Sequence, residues 1–325
     1  MDHYNYSHNE NIHFYNTRSN SFNQSLVLKG DILLPERKPE LLNIISNIMD
    51  AICLCDHSAI IGYHEYFTDE GKILILRHLI QNSDIDGFHK ISNLFNITDY
   101  TFDRSILLED ALNCKNEDVM IDTLNMLIKN GCDVTANDNR CLKIITNKQE
   151  KNFRIKAYLI ENGADVHAEN DYCFRFVCYN QRDFDEVKFW IDNGANIHAN
   201  NDYAICGSVY TNQNIDIIKL LIENGANINA RNGFPLRHCF RSYSEKDIVI
   251  KILLENNADT KFLTARDVMA TIKLNHLEKV ELAIHHGLNL KILFPNNSRK
   301  YTIVDFLQNQ GLDLYHIAGI LSGDY

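Results

Sequence analysis

"LLIENGANINARNGFPLRHCF", Leu220–Phe240, decides the fold. An apolar run stops at an abrupt Asn-Gly, a short polar segment follows, and Pro-Leu opens a new apolar stretch. Read alone, Glu223, Asn224 and Gly225 look placed for chemistry. Read along the chain, they recur. "LIKNGCDV" starts at Leu127, "LIENGADV" at Leu159, "WIDNGANI" at Trp190 and "LIENGANI" at Leu221. "LLENNADT" follows at Leu253, "AIHHGLNL" at Ala283 and a degenerate "LQNQGLDL" at Leu307. One column therefore holds Gly131, Gly163, Gly194, Gly225, Asn257, Gly287 and Gly311, at steps of 32, 31, 31, 32, 30 and 24 residues. A near-constant period of this length marks a solenoid, in which no unit buries its apolar face alone.

Each column has a physical reason. Ile217, Ile218, Leu220, Leu221 and Ile222 give one helix an apolar face. The Gly column sits just past the last helical residue, where the chain turns with positive φ. Asn257 replaces Gly there, and Asn is the next residue best able to turn that way. Ala164, Ala195, Ala226 and Ala258 fill a tight corner, and Val134, Val166, Ile197 and Ile228 point inward. "PLRHCF" then starts a second helix, with Pro235 suited to its first turn. Each unit reads helix, Gly-terminated turn, short extended loop, helix. This pattern resembles the ankyrin repeat, strongly from about residue 117 to 292. The resemblance implies an all-α helix-turn-helix solenoid that binds a partner protein on its concave face, without a cofactor.

The chain departs from the family in its loops. Pro235 follows Ala230 by only five positions, fewer than the family's usual spacing, so a blunt β-hairpin loop is expected. The Thr of the family's TPLH motif is replaced by Arg140, Tyr172, Tyr203 and Phe234. Short-loop, Asn-rich arrays of this style resemble those of giant amoeba-infecting DNA viruses.

Length alone suggests two or three compact domains, a prior that repeats override. The expected divisions are a low-complexity, disordered 1–30, a helical 31–100, an array over 101–292 and a degenerate end over 293–325. Within 31–100, Lys72–Ile85 reads as a worn repeat end with Ser83 in the Gly column, and residues 40–55 as an apolar-faced helix. Leu33–Asp50 also resembles an F-box start, though Leu34-Pro35 and Glu40-Leu41-Leu42 are misspaced. A ubiquitin-ligase substrate adaptor is therefore the rival function.

The totals exclude several classes. Net charge is −11 and pI about 5.7, so a duplex-binding surface is not expected. The opening residues carry no cleavable signal, and no 18-residue apolar run spans a membrane. Nine cysteines without disulfide-like spacing point to reduced thiols in a cytosolic or nuclear compartment, the host's if the chain is viral. Cys53, Cys55, His57 and His64 lack zinc spacing, so no metal is expected. Phosphate-binding loops, nucleophile elbows and H-E-x-x-H are absent, so an enzyme is not expected. His167 and His198 share a column with Thr135 and Asn229, which makes them framework that holds neighbouring loops. Trp190 occupies a Leu column and reads as core. A monomer is expected.

Function should lie where exposed columns drift. Tyr172, Tyr203 and Phe234 sit at the loop tips, Arg175 and Arg237 in the TPLH-His column, and Tyr179, Tyr210 and Arg241 one helical turn later. Tyr and Arg are enriched at binding hot spots, so Tyr172, Tyr179, Tyr203, Tyr210, Phe234, Arg237 and Arg241 are the candidate partner-binding residues. The alternative is that the tip aromatics stack between repeats and that Arg175 and Arg237 bond loop carbonyls. The acidic total favours a partner with some basic character, although the stripe itself is locally basic.

Overall fold

The structure is a computed structural model that describes residues 47–95, 105–180, 183–211, 214–242, 247–274 and 276–289. The expectations for residues 1–30 and 293–325, for Gly311 and for most of the F-box-like segment lie outside these residues. The chain divides into two compact units, Met1–Cys132 and Asp133–Tyr325. No strand element occurs among the described residues.

In the first unit, residues 47–53 are helical (α1). They are followed by α2 (His57–Gly62), α3 (Asp69–Gln81), α4 (Ile85–Phe95), α5 (Ser105–Ala111) and α6 (Glu117–Lys129). Ile52, Ile75, Leu76, Leu79, Phe88, Leu108, Leu124 and Leu127 are buried between them. Ser83 has φ +59 and stands in for glycine, as the worn repeat requires. Its N–H bonds the Ile80 carbonyl, and the Asp84 N–H reaches back to Leu79. That pair of bonds is the Schellman closure of a helix end. Gly131 and Cys132 close α6 in the same way on Ile128 and Leu127. Cys55, with φ +52, does so on Ile52, and Asp56 on Ala51. Cys55 is thus a further member of the Gly column, hidden in sequence by its side chain.

The second unit repeats a helix pair. Its first helices are α7 (Ala136–Asn147), α9 (Ala168–Tyr179), α11 (Ala199–Thr211), α13 (Ala230–Arg241) and α15 (Ala265–Lys273). Its second helices are α8 (Phe153–Glu161), α10 (Phe184–Asp192), α12 (Ile215–Glu223), α14 (Asp247–Glu255) and α16 (Leu277–His285). Successive first helices pack on one another, as do α10 with α12 and α14 with α16. Leu142, Ile145, Phe174, Val177, Ile205, Val209, Leu236 and Phe240 supply the inner face of the first helices, and Leu159, Trp190, Leu221 and Leu253 that of the second. Gly207 lets α11 approach the α9 backbone, its Cβ direction meeting Tyr179 Cα at 3.4 Å. Ser208 and Thr271 donate to the preceding helix's carbonyls at Cys178 and Phe240, so the stack is tied by buried hydroxyls as well as by apolar contact.

The loops differ from the expected β-hairpin and extended segment. Each is a left-handed triplet: Asn137–Asn139, Glu169–Asp171, Asn200–Asp202 and Arg231–Gly233 all have φ between +51 and +70. A left-handed residue is unfavourable for most L-amino acids by roughly 1–2 kcal/mol, and Asn, Asp and Gly tolerate it best. Asn-richness here is therefore a backbone requirement. A triplet turns the chain in fewer residues than a two-stranded finger, which explains the five-position step from Ala230 to Pro235.

Candidate protein-binding face

The triplets are held by side chains from both directions. Asp133, Asp165, Asn196, Asn227 and Asp259 each accept from the N–H two residues on, forming turns that set the loop entry. The last residue of each triplet then locks the next repeat. Asn139 accepts from the Asp165 N–H at 2.6 Å, Asp171 from Asn196 at 2.8 Å and Asp202 from Asn227 at 2.9 Å. All three side chains are buried. His167 and His198 bond within their own repeat, to Asp171 (3.0 Å) and Asp202 (2.7 Å), rather than to a neighbouring loop as expected; the bond to the next repeat is made by the Asp. At the fourth loop the lock position is Gly233, and Asn229 takes over by accepting from Asp259 at 2.8 Å. This Asn/Asp column was not read in the sequence. The signal was present as Asn139, Asp171 and Asp202 in register, hidden by the general abundance of Asn and Asp in the loops.

Two arginines beside the loops, Arg175 and Arg231, are also occupied. Arg175 donates to the Asn170 and Glu169 carbonyls at 2.7 and 2.9 Å, as the alternative reading anticipated. Arg231, which the sequence did not single out, does the same for the Asn200 and Asn201 carbonyls. Both guanidiniums lie over the Tyr203 ring, at 5.5 and 5.1 Å from its centroid. Tyr203 is thereby in contact with two cations.

Arg237 differs from Arg175. Its Nε reaches Asp267 Oδ2 at 3.1 Å, and Arg241 Nε contacts Asp267 Oδ1. Thr264 donates both its N–H and its hydroxyl to Oδ2. The Asp267 side chain is fully buried, while 27% of the Arg237 side chain and 42% of that of Arg241 face solvent. Burial opposes the Asp267 charge, but Thr264 and the two guanidiniums outweigh it and hold the carboxyl below its ordinary value. The folded value lies below the unfolded one of about 4. The stabilisation is therefore present above that pH and lost as pH falls through the folded value. In urea unfolding at stepped pH, Asp267→Asn should show a shallower acid limb than the wild type, and equal limbs would contradict this assignment.

The aromatic candidates form a connected surface. Tyr172 is half-buried, stacks on Phe176 at 5.9 Å and is bonded by Asn147 of the preceding repeat; burial pushes its phenol up. Tyr179 stacks on Tyr210 at 6.1 Å and tilts against Tyr203 at 6.2 Å. Tyr210 meets His238 at 4.9 Å, and His238 stacks on Phe234 at 5.5 Å. His238 was missed in sequence because it lies between the two columns followed. Phe234, Arg237, His238 and Arg241 share one face of α13 by their spacing. Tyr179 and Tyr210 are the exposed members, at 38% and 53%.

Residues 203–233 match the family model of the ankyrin repeat. The fold is an ankyrin-type solenoid. The matched segment runs from the Tyr203 tip through α12 to the end of the Arg231–Gly233 triplet, one full turn of the ankyrin array. No curated protein matches the chain. Ankyrin repeats are interaction modules, and this supports a protein partner. Among the described residues no group of three or more His, Cys, Asp or Glu could hold a metal ion, and no helix is long and apolar enough to cross a membrane. All nine cysteines are free, and seven are buried. Burial pushes the Cys173 thiol to about 11 and Cys206 to about 12, so neither supplies a thiolate near neutral pH.

Proposed function

We propose that this ankyrin array is a non-enzymatic scaffold that binds a partner protein on the face of its first helices. The exposed, mutually stacked pair Tyr179 and Tyr210 carries the reading. Two large rings held in place by neighbouring aromatics offer contact area at little entropic loss on binding, which is what hot spots require. Tyr172 and Tyr203 are committed to intramolecular contacts, so they act as supports and the one-turn-later column as the contact. A viral protein acting on a host partner in the cytosol belongs to the same reading. It rests on loop style, for which the left-handed triplets supply a physical reason of their own.

The test replaces Tyr179, Tyr210 and Arg241 together by Ala in the tagged chain. Partner recovery on affinity purification should fall severalfold or more while the helical CD spectrum is kept. Unchanged recovery from a folded variant would place the binding face elsewhere.

A further inference from the structure

Among the described helices of the second unit charge is uneven. The second helix α8 is net basic by sequence, with Arg154 and Lys156 against Glu161, while the later second helices α10, α12, α14 and α16 are each net acidic. The α13 first helix carries Arg231, Arg237 and Arg241 and no acid at all. The acids of α9 and α11 are already engaged: Asp171 and Asp202 are buried against the loops with His167 and His198, and Glu169 pairs with Lys143 at 2.8 Å. The whole-chain charge of −11 is therefore a poor guide to the first-helix face.

Arg237 and Arg241 make that face locally positive in a directed way. Both reach the single Asp267 carboxylate through Nε. Two guanidiniums against one carboxylate leave an excess positive charge. A guanidinium is planar, so engaging its Nε–H turns the outer Nη edge away from Asp267. Rigid support from a buried carboxylate that itself bonds Thr264 orients both forks before any ligand arrives. The pair sits at the end of the aromatic row Tyr179, Tyr210, His238 and Phe234, on the same helix face as its last two members.

We infer that the Arg237–Arg241 pair is a carboxylate-recognising subsite, and that the partner segment is acidic and carries an apolar or aromatic residue for the Tyr179–Tyr210 surface. This rests on the first-helix face being the binding face and reverses the partner charge that the chain's total implied. A carboxylate meets the outer edge of a guanidinium in a bidentate, charge-assisted pair, and the aromatic row covers the neighbouring apolar surface. A basic segment would have to approach an arginine-rich helix with no acid to receive it.

The experiment is selection of displayed random linear peptides on the immobilised full chain, followed by fluorescence anisotropy of the selected peptides. Enrichment of Asp and Glu is expected. Arg241→Gln should weaken the selected peptides about tenfold, and binding should fall as salt is raised. Because Arg237 and Thr264 still hold Asp267 in that variant, the fold is kept. A triple variant, Arg237→Gln, Arg241→Gln and Asp267→Asn, removes the whole cluster without leaving a buried unpaired charge and should abolish the preference for acids. Peptides rich in Lys and Arg, no selectable peptide, or acidic peptides indifferent to both variants would overturn the inference. If binding is lost on changing Tyr179 and Tyr210 to Ala but not on changing the arginines, the binding face stands and the acidic partner falls. If neither change matters, both fall.

Discussion

Lys156→Met alone should lower the stability of the chain by about 3–5 kcal/mol. Lys156 (α8) and Glu186 (α10) form an ion pair in which both side chains are almost completely buried. The columns explain why that is unusual. Lys156 takes the position held by Val187, Ile218 and Ile250 in the following repeats, all fully buried aliphatics. Glu186 takes the position of Ile155 and Ile217. The Phe153 ring lies 5.6 Å from the ammonium. Removing Lys156 leaves the buried Glu186 carboxylate in an apolar layer without the cation that offsets its desolvation. Changing both to apolar residues, Lys156→Met with Glu186→Leu, removes the desolvation cost as well as the attraction, so the double variant should match or exceed the wild type. Urea unfolding followed by far-UV CD separates the cases. A single variant as stable as the wild type, or a double variant worse than either single, would show that the pair does not behave as a buried, mutually dependent unit.

Gly233→Ala should cost about 3 kcal/mol, much more than Gly207→Ala. A methyl at Gly233 would overlap Phe262 Cβ and lie 2.8 Å from Cγ, at a backbone φ of +70. Phe262 belongs to the 3-10 turn Thr260–Phe262 that starts the next repeat, so the clash is with the root of a side chain and cannot be relieved by a rotamer change alone. At Gly207 the nearest atoms stand at 3.4 Å, an ordinary contact, and φ is not in the left-handed region. Thermal unfolding of the two variants side by side measures the difference; comparable midpoints would mean that the Gly233 corner relaxes freely. Gly233 is also the place where the Asn139, Asp171 and Asp202 lock is interrupted. Close approach of Phe262 there requires glycine, and the displaced hydrogen bond moves four residues back to Asn229.

Much of the architecture was written in period and register. The Gly column fixed the helix ends, and even its exceptions kept the geometry, since Asn257 has φ +68 and Ser83 φ +59. The buried helix faces follow from the spacing of Ile217, Ile218 and Leu221, and the placement of Trp190 in a Leu column sufficed to bury it. These features are local or repeat in register, and local conformational preference with periodic burial is what a sequence displays directly.

The loops and the site depended on contacts between repeats. Counting residues gave the right loop length, but the choice between a hairpin and a left-handed triplet rests on hydrogen bonds from the neighbouring unit, some 25 to 31 residues away in the chain. The same distance separates Arg237 and Arg241 from Asp267 and divides two chemically similar columns into a structural clamp at Arg175 and a surface fork at Arg241. The sequence alone determined a repeating helical solenoid with its turns and its core. The tertiary structure decided which tyrosines stay open, which arginines are spent and how each loop is locked, because those outcomes turn on pairings between residues that periodicity places in columns but does not join.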